Sequence, residues 1–583
     1  MTRANQSGSV AAPAARTVPL VIGVTSHRNI APNEEEAIRQ RVRDFLAGLQ
    51  REFPGLPLLV LSSLAEGGDR WVAEEALALG VRLVAPLPMI RAQYAQDFTD
   101  TDARARFDRL SAQAGIIEVP IVMSDSPLAR IAAPLGQERD LLYAQAGVYL
   151  SNHCHVLLAI WDGKESSLLG GTAQVAHYHL TGIKPSEADR RRKATRSLGN
   201  ENTRLVYHVV CSRDQADGAP AAPLQALDSW WRMGEHAIPG GEPMPEAFRE
   251  AFTNASEFSA DCSKYSAPIE ASRGLMGGAA RPEAQRTSDQ LFRAADWLAI
   301  HFQRRVLLSM RALYTMAALM AIAFAVYDNL PAQDDMIFVF LLLFALGGFV
   351  ALLANRRSWH RKYLDYRALA EGLRVQSYWY RAGLSLTSDT EFGRDNFLQK
   401  QDVELDWVRN VMRGAALEND LGGRIESAAS LQSVIEEWIG DGQRRGQLDY
   451  YRRKAEQRTR THRITERIGS ASLCVGVGIS VVLAIFVHQL SADAKNDLIV
   501  VMAVFSVVAG VRSAYAYKKA DKELIKQYRY MQRIFGEAKM ALAAAVDPAE
   551  QREILRLLGD AALAEQVEWA LMHRQRPLEH NRI

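Results

Sequence analysis

The chain has 583 residues, with 69 Lys and Arg against 67 Asp and Glu and a formal net charge of +2. That length calls for two or three domains, and the near-neutral balance excludes a global basic field for nucleic acid. Four cysteines, Cys154, Cys211, Cys262 and Cys474, include no CxxC pair, which argues against a zinc framework or a disulfide scaffold.

Residues 1–17 are rich in Ala, Ser and Pro and lack a long apolar core. They read as a disordered tail, not a signal peptide. From 18 to 215, strand-like and helix-like segments alternate. Apolar runs at 18–24, 56–61, 83–86, 116–120, 155–161 and 205–211 are the expected strands. Helical patterns fall at 34–52, 70–79 and 137–152. Alternation with continuously apolar strands predicts an α/β, Rossmann-like parallel sheet with helices on both faces. Ligands of such sheets bind outside the carboxyl ends of the strands.

Three strand ends carry the informative residues. Gly23-Val24-Thr25-Ser26-His27-Arg28 follows the first strand, and Ser62-Ser63-Leu64-Ala65-Glu66-Gly67-Gly68-Asp69-Arg70 the second. Trp161-Asp162-Gly163 ends a later strand, and Gly170-Gly171-Thr172 then opens a helix. Small residues at a strand-to-helix turn let backbone N–H groups approach a phosphate, and the helix N-terminus favours its charge. Thr25, Ser26, Ser62 and Thr172 offer hydroxyl donors, and Arg28 or Arg70 a phosphate partner. Glu66, Asp69 or Asp162 can accept ribose hydroxyls. Glycine and serine also merely build turns, so the weight lies in three such turns on one sheet edge. His153, Cys154, His155, His177 and His179 cluster in sequence, but His177 and His179 stand two apart, on different helix faces. No metal site is expected.

These motifs, with Tyr94-Ala95-Gln96-Asp97-Phe98, resemble the SLOG superfamily over about a third of the chain. That superfamily has a Rossmann-like fold and includes the LOG phosphoribohydrolases, the DprA proteins and the ligand-sensing domains of TRPM channels. The resemblance implies binding of a nucleotide or an ADP-ribose-like signal. Its enzymatic branch uses Pro-Gly-Gly-x-Gly-Thr with a glutamate close behind. Here the matching stretch is Leu168-Leu169-Gly170-Gly171-Thr172-Ala173-Gln174, without the proline or the glutamate, and N-glycosidic cleavage by that route is not expected. Glu66 and Asp69, at i and i+3, are the remaining acid/base pair. Capping and ribose binding are the roles expected of them, and no catalytic residue is assigned.

Residues 216–285 read as a linker or cap with some helix. Two membrane modules are then expected. The first, 286–425, has spans at 306–327 and 336–354, and the second, 426–583, has spans at 468–490 and 498–517. The uncharged run at 336–354 is about 19 residues, or about 28 Å of helix, close to a bilayer's hydrocarbon thickness. Buried core helices of a soluble protein are the alternative, but four runs in two pairs with loops of about seven or eight residues favour spans. Arg311 and Arg512 lie toward the outer ends of their legs, where an arginine snorkels to the interface. Arg304, Arg305, Arg356, Arg357, Arg361 and Lys362 flank the first hairpin, and Arg463, Arg467, Lys518, Lys519 and Lys522 the second. By the positive-inside rule both hairpin loops lie outside and both termini in the cytosol, in an inner (cytoplasmic) membrane.

The two hairpins look like one unit used twice. Each exit helix carries a seven-residue stripe, Trp359, Tyr363, Tyr366, Ala370, Leu373, Ser377, Tyr380 and Leu384 in the first and Leu524, Tyr528, Met531, Phe535, Ala538 and Leu542 in the second. Such seams serve packing within the chain or between subunits. Trp438-Ile439, Tyr450-Tyr451, the second pair of spans, Trp569 and His573-Arg574-Gln575-Arg576-Pro577 resemble the SLATT domains, two-helix membrane effectors that accompany SLOG sensors in bacterial conflict systems. The first hairpin matches less well. This pairing implies a membrane effector of antiviral defence that senses a nucleotide-derived second messenger and permeabilises the bilayer, working as a homo-oligomer and without nucleic acid. No acidic residue sits in mid-membrane, so an ion-coupled transporter lacks its usual carboxylate. The alternative is a membrane-anchored nucleotide hydrolase or phosphoribohydrolase.

Overall fold

The computed structural model describes residues 18–119, 136–166, 168–182, 204–234, 236–272, 274–275, 286–330, 332–384, 405–422, 428–440 and 446–574. The tail expected at 1–17 and Gln575-Arg576-Pro577 lie outside them. The chain forms two compact units. One comprises Met1–Ala295 and Leu369–Glu426, the other Asp296–Ala368 and Ser427–Ile583.

The first unit is built on one sheet. Its strands are β1 Leu20–Ser26, β2 Leu58–Leu61, β3 Arg82–Leu87, β4 Gly115–Glu118, β5 Val156–Trp161, β6 Leu205–Val210, β7 Ser229–Met233 and β8 His236–Pro239. Their order is β4-β3-β2-β1-β5-β6-β7-β8. Pairing is parallel from β4 to β6 and antiparallel at β7 and β8. The longer helices that intervene in sequence are α1 Glu35–Glu52, α2 Gly68–Ala78, α3 Thr101–Ser111, α4 Gln137–His153 and α5 Thr172–Thr181. Every residue of β1, β2, β5 and β6 is buried, because helices cover both faces and leave no solvent side to alternate with. The α/β expectation holds.

The remaining helices are α6 Glu246–Lys264, α7 Arg286–Asn329, α8 Met336–Arg356, α9 Trp359–Arg381, α10 Asp406–Leu421, α11 Ala428–Ile435, α12 Gln447–Ile485, α13 Ala492–Lys518, α14 Asp521–Ala544 and α15 Pro548–Arg574. The segment expected as a linker or cap contributes α6 and also two strands. The Trp230-Trp231 pair lies on β7, where Trp231 is buried against Phe45 and Tyr207, and those two rings stack 4.2 Å apart. Helix α10 also belongs to this unit. Its Leu417 joins the cluster of Val21, Leu59, Leu157 and Val206, its Asn410 carbonyl meets His155 Nε2 at 3.0 Å, and its Asp420 accepts the Tyr149 hydroxyl at 2.6 Å.

Among the described residues four helices are long and apolar enough to cross a membrane. They are α7, α8 continued by α9, α12, and α13 continued by α14. Phe338, Leu342, Phe344, Phe349 and Leu352 of α8 and Leu473, Val477, Val481 and Ile485 of α12 are exposed, as lipid-facing side chains are. One boundary differs from expectation. Helix α12 stops at Ile485 and Phe486–Leu490 turns, while α13 starts early because the Ser491 hydroxyl caps it by accepting the Ala494 N–H.

At the junction of second span and exit helix, an offset of 162 residues relates the two hairpins. Arg356, which ends α8, maps to Lys518, which ends α13, and Trp359, which opens α9, maps to Asp521, which opens α14. Between them Ser358 and Ala520, at the same offset, are both left-handed, with φ of 47° and 51°. The helical stripes are buried within the chain. Phe535 meets Trp438 at 6.2 Å and Tyr451 at 5.5 Å, and Tyr363 meets Trp569 at 5.7 Å. These contacts assign the seams to intrachain packing.

Candidate functional site

β1 is the origin of the sheet. The chain builds β2, β3 and β4 on one side of it, then crosses to β5 and β6 on the other. The carboxyl ends of β1 and β5 lie side by side at this switch point, with Thr25 level with Ala159 and Ser26 with Ile160. In open α/β sheets it is outside the strand ends at such a point that ligands bind.

On one side of the switch point stands the N-terminus of α2. Gly67 caps it with φ +83°, and a Cβ on Gly67 would lie 2.5 Å from the His27 carbonyl and 2.6 Å from that of Arg28. The β1 loop thus runs directly over the helix end, and only glycine admits it. A Cβ on Gly68 would lie 2.8 Å from Ser26 Cβ. The Ser26 hydroxyl donates to Asp69 Oδ1 at 2.8 Å, and the Ser62 hydroxyl donates to the Asp69 carbonyl at 3.2 Å. Burial pushes the Asp69 carboxyl up from 3.8 to about 7, against the opposing pull of Ser26, Arg28, the Ala65 amide and Arg70. Arg70 is built into the fold. It donates to the carbonyls of Leu64 at 3.1 Å and Ala103 at 2.8 Å, and its guanidinium lies 4.3 Å over the Phe98 ring. Glu66 is half-buried and acts on Arg70 electrostatically.

The β5 side supplies Asp162 and the N-terminus of α5. Asp162 Oδ1 lies 3.1 Å from His27 Nε2 and accepts the Lys164 N–H at 3.1 Å. Burial works to raise this carboxyl, but His27, the Lys164 amide and Arg213 together hold it below the usual carboxylate range. Gly170 has φ +74°, and a Cβ there would lie 2.5 Å from Tyr143 Cβ and 2.7 Å from the Ala144 nitrogen. Its own N–H donates to Gln174 Oε1 at 2.6 Å. Gly171 has an ordinary φ of −75°, and its nearest neighbour to an added Cβ is the Leu168 carbonyl at 3.3 Å. Gly170, not Gly171, is therefore the glycine the backbone demands. Thr172 opens α5 and is buried.

The two sides meet through a residue the sequence did not single out. Arg28 is exposed, and its guanidinium stands 5.5 Å from the centre of the Tyr143 ring. Tyr143 is also the residue against which Gly170 packs. Its hydroxyl donates to Asp97, which pairs with Arg139 one turn earlier on α4, and its ring lies 6.2 Å from Tyr94. Burial raises the Tyr143 phenol, and Asp97 adds to the effect. The signal that could have found Tyr143 is the Arg139–Tyr143 spacing of four on α4.

Of the sequence-derived candidates, Ser26, Arg28, Gly67, Asp69, Asp162, Gly170, Gly171 and Thr172 border this edge. Gly23 lies mid-strand, where a Cβ would meet Cys154 and Leu150 at 2.8 Å, and serves helix–sheet packing. Thr25 is buried in the ladder. Ser62 and Arg70 hold the β2–α2 turn. At the opposite end of β5, His155 sits between the Val21 N–H and the Asn410 carbonyl, and burial keeps it neutral, at about 3. His179 Nδ1 meets the Ser151 hydroxyl at 2.9 Å, whereas His177 is exposed.

No family model matches this chain, and no curated protein matches it in sequence. Its chemistry therefore rests on geometry. The edge combines two helix N-termini, the Arg28 guanidinium held over Tyr143 and a low-pKa carboxylate beside a histidine. The first two suit a phosphate, and Asp162 suits a sugar hydroxyl.

Proposed function

We propose that the first unit binds a nucleotide-derived signal at the β1–β5 edge and that binding opens the membrane crossed by the helices of the second unit. The observation that carries the reading is the convergence of the α2 and α5 N-termini, linked by Arg28 and Tyr143, on one switch-point edge. Phosphate at helix N-termini is the recurrent solution of this architecture. The resemblance to SLOG and SLATT domains supports an antiviral effector with cytosolic termini. A pore would be lined by small and hydroxyl residues of several subunits and would gate by dewetting of an apolar constriction. The signal must bind the open state more tightly than the closed one.

The test is dye release from liposomes carrying the full-length protein, with NAD, ADP-ribose and nucleoside monophosphates added singly. Release with at least one of them, lost in Arg28→Gln, is expected. Release that stays flat across all of them overturns the reading. Product analysis of the same mixtures distinguishes the anchored hydrolase, for which turnover would depend on Glu66.

A further inference from the structure

Beside Asp162, toward β6 and β7, one sheet face carries Trp161, His208, Trp230 and Arg232. His208 stands opposite Trp230, and Val206 opposite Arg232, in the β6–β7 register. Opposed and alternate residues of a sheet share a face, so His208, Trp230 and Arg232 lie together. The Arg232 guanidinium stands 5.6 Å from the centre of the Trp161 ring, and the His208 ring lies 5.2 Å from that ring.

Their polar atoms are incompletely used. His208 is wholly buried, and its Nε2 donates to the Trp161 carbonyl at 2.9 Å, which leaves Nδ1 as a bare acceptor. Burial lowers this histidine to about 4, so it is neutral. Among the described residues His208 Nδ1 has no partner, and neither has the buried Trp230 Nε1. Arg232 is half-buried with no carboxylate paired to it among the described residues, and burial alone lowers its pKa. Stacking on Trp161 explains the position of Arg232. It does not explain a free donor, a free acceptor and an uncompensated cation on one patch, since buried polar groups are ordinarily satisfied. The patch adjoins the β1–β5 edge, because Asp162 follows Trp161 directly and both Asp162 and His27 act on His208 electrostatically.

We propose that Arg232, Trp230 and His208 form a second anion subsite, which takes a phosphate or carboxylate that the signal carries apart from its first phosphate. Arg232 supplies the charge and Trp230 Nε1 donates to an anion oxygen. His208 Nδ1 accepts from a neighbouring hydroxyl, and Trp161 walls the subsite. The proposal rests on the nucleotide reading above and narrows it to nucleotides with an anionic group beyond the first phosphate.

Two matched probe pairs test it on full-length protein in detergent, followed by tryptophan fluorescence. AMP against ADP asks for a phosphate, and UDP-glucose against UDP-glucuronate asks for a carboxylate. In at least one pair the more anionic member should bind about 10-fold more tightly, the scale of one charge-assisted hydrogen bond. Arg232→Gln should erase that preference, and Arg232→Lys should restore part of it. Trp230→Phe, which keeps the ring and removes the N–H, should reduce it several-fold and carries the test if thermal melting shows Arg232→Gln misfolded. No preference in the wild type, or a preference that survives both Arg232→Gln and Trp230→Phe, overturns the subsite. If Arg28→Gln leaves every affinity intact while Arg232→Gln erases the preference, the first-phosphate reading fails and the subsite stands.

Discussion

The Ser26 hydroxyl donates to Asp69 Oδ1 at 2.8 Å, joining the last residue of β1 to the first turn of α2. The bond holds a carboxyl that burial drives toward protonation.

A pH dependence follows from that pair. The folded carboxyl has a pKa raised from 3.8 to about 7, so the folded state binds more protons than the unfolded one between those values. Stability contributed by protonated Asp69 is complete below about 4 and is lost as pH rises through about 7, by at most about 4 kcal/mol. Thermal melting of the full chain should show that decline between about pH 4 and 7. Asp69→Asn should flatten it, and an unchanged slope would refute the assignment.

Gly67→Ala and Gly171→Ala should differ sharply. The first places a methyl 2.5 Å from the His27 carbonyl at φ +83° and should cost several kcal/mol. The second meets only the Leu168 carbonyl, at 3.3 Å, and should cost less than about 1 kcal/mol. Denaturation midpoints of the two variants rank them.

Arg28→Gln should weaken nucleotide binding about 10- to 100-fold with little change in melting temperature. Its guanidinium lies over the Tyr143 ring at the edge of the sheet, while a charge-assisted phosphate contact contributes about 1.5–3 kcal/mol. Titration calorimetry reads the affinity, and an equal loss of stability would mark the residue as structural.

Leu342 is 60% exposed near the middle of α8. Leu342→Arg should disfavour insertion by about 3 kcal/mol and move protein out of the alkali-resistant membrane fraction. Retention in that fraction at the wild-type level would count against a lipid-facing position.

Ser358→Gly and Ala520→Gly should each stabilise the chain by up to about 1 kcal/mol. Both side chains sit in left-handed backbone between a span and its exit helix, a conformation that costs about 1–2 kcal/mol for a residue with a Cβ. The gain is partly offset by glycine's greater unfolded-state freedom. Chemical denaturation of the single and double variants measures both effects.

The strands from β1 to β6 were legible in sequence because strands buried on both faces must be apolar without interruption. β7 and β8 were not, since a short edge hairpin alternates Trp231 inward with half-buried Trp230 and Arg232 outside the helix-covered centre. Asp69, Asp162 and Gly170 stood out as turn residues, but turn chemistry does not distinguish the glycine that packing requires from its neighbour. Only the approach of the Tyr143 backbone separates Gly170 from Gly171. Tyr143 carried only the weak local signal of its helical spacing from Arg139, because its role arises from contacts with Asp97, Arg28 and Gly170, which are distant in sequence.

Sequence alone determined the run of buried strands and the four apolar helices. Each of these follows from local composition, through the demand that apolar surface leave water and backbone polar groups find partners. Tertiary structure alone decided that α10 packs with the sheet, that the helical stripes are buried within the chain, and that Arg28, Tyr143 and Gly170 meet. Those outcomes depend on which surfaces come together once the chain has closed on itself, and no segment of the sequence records its partner.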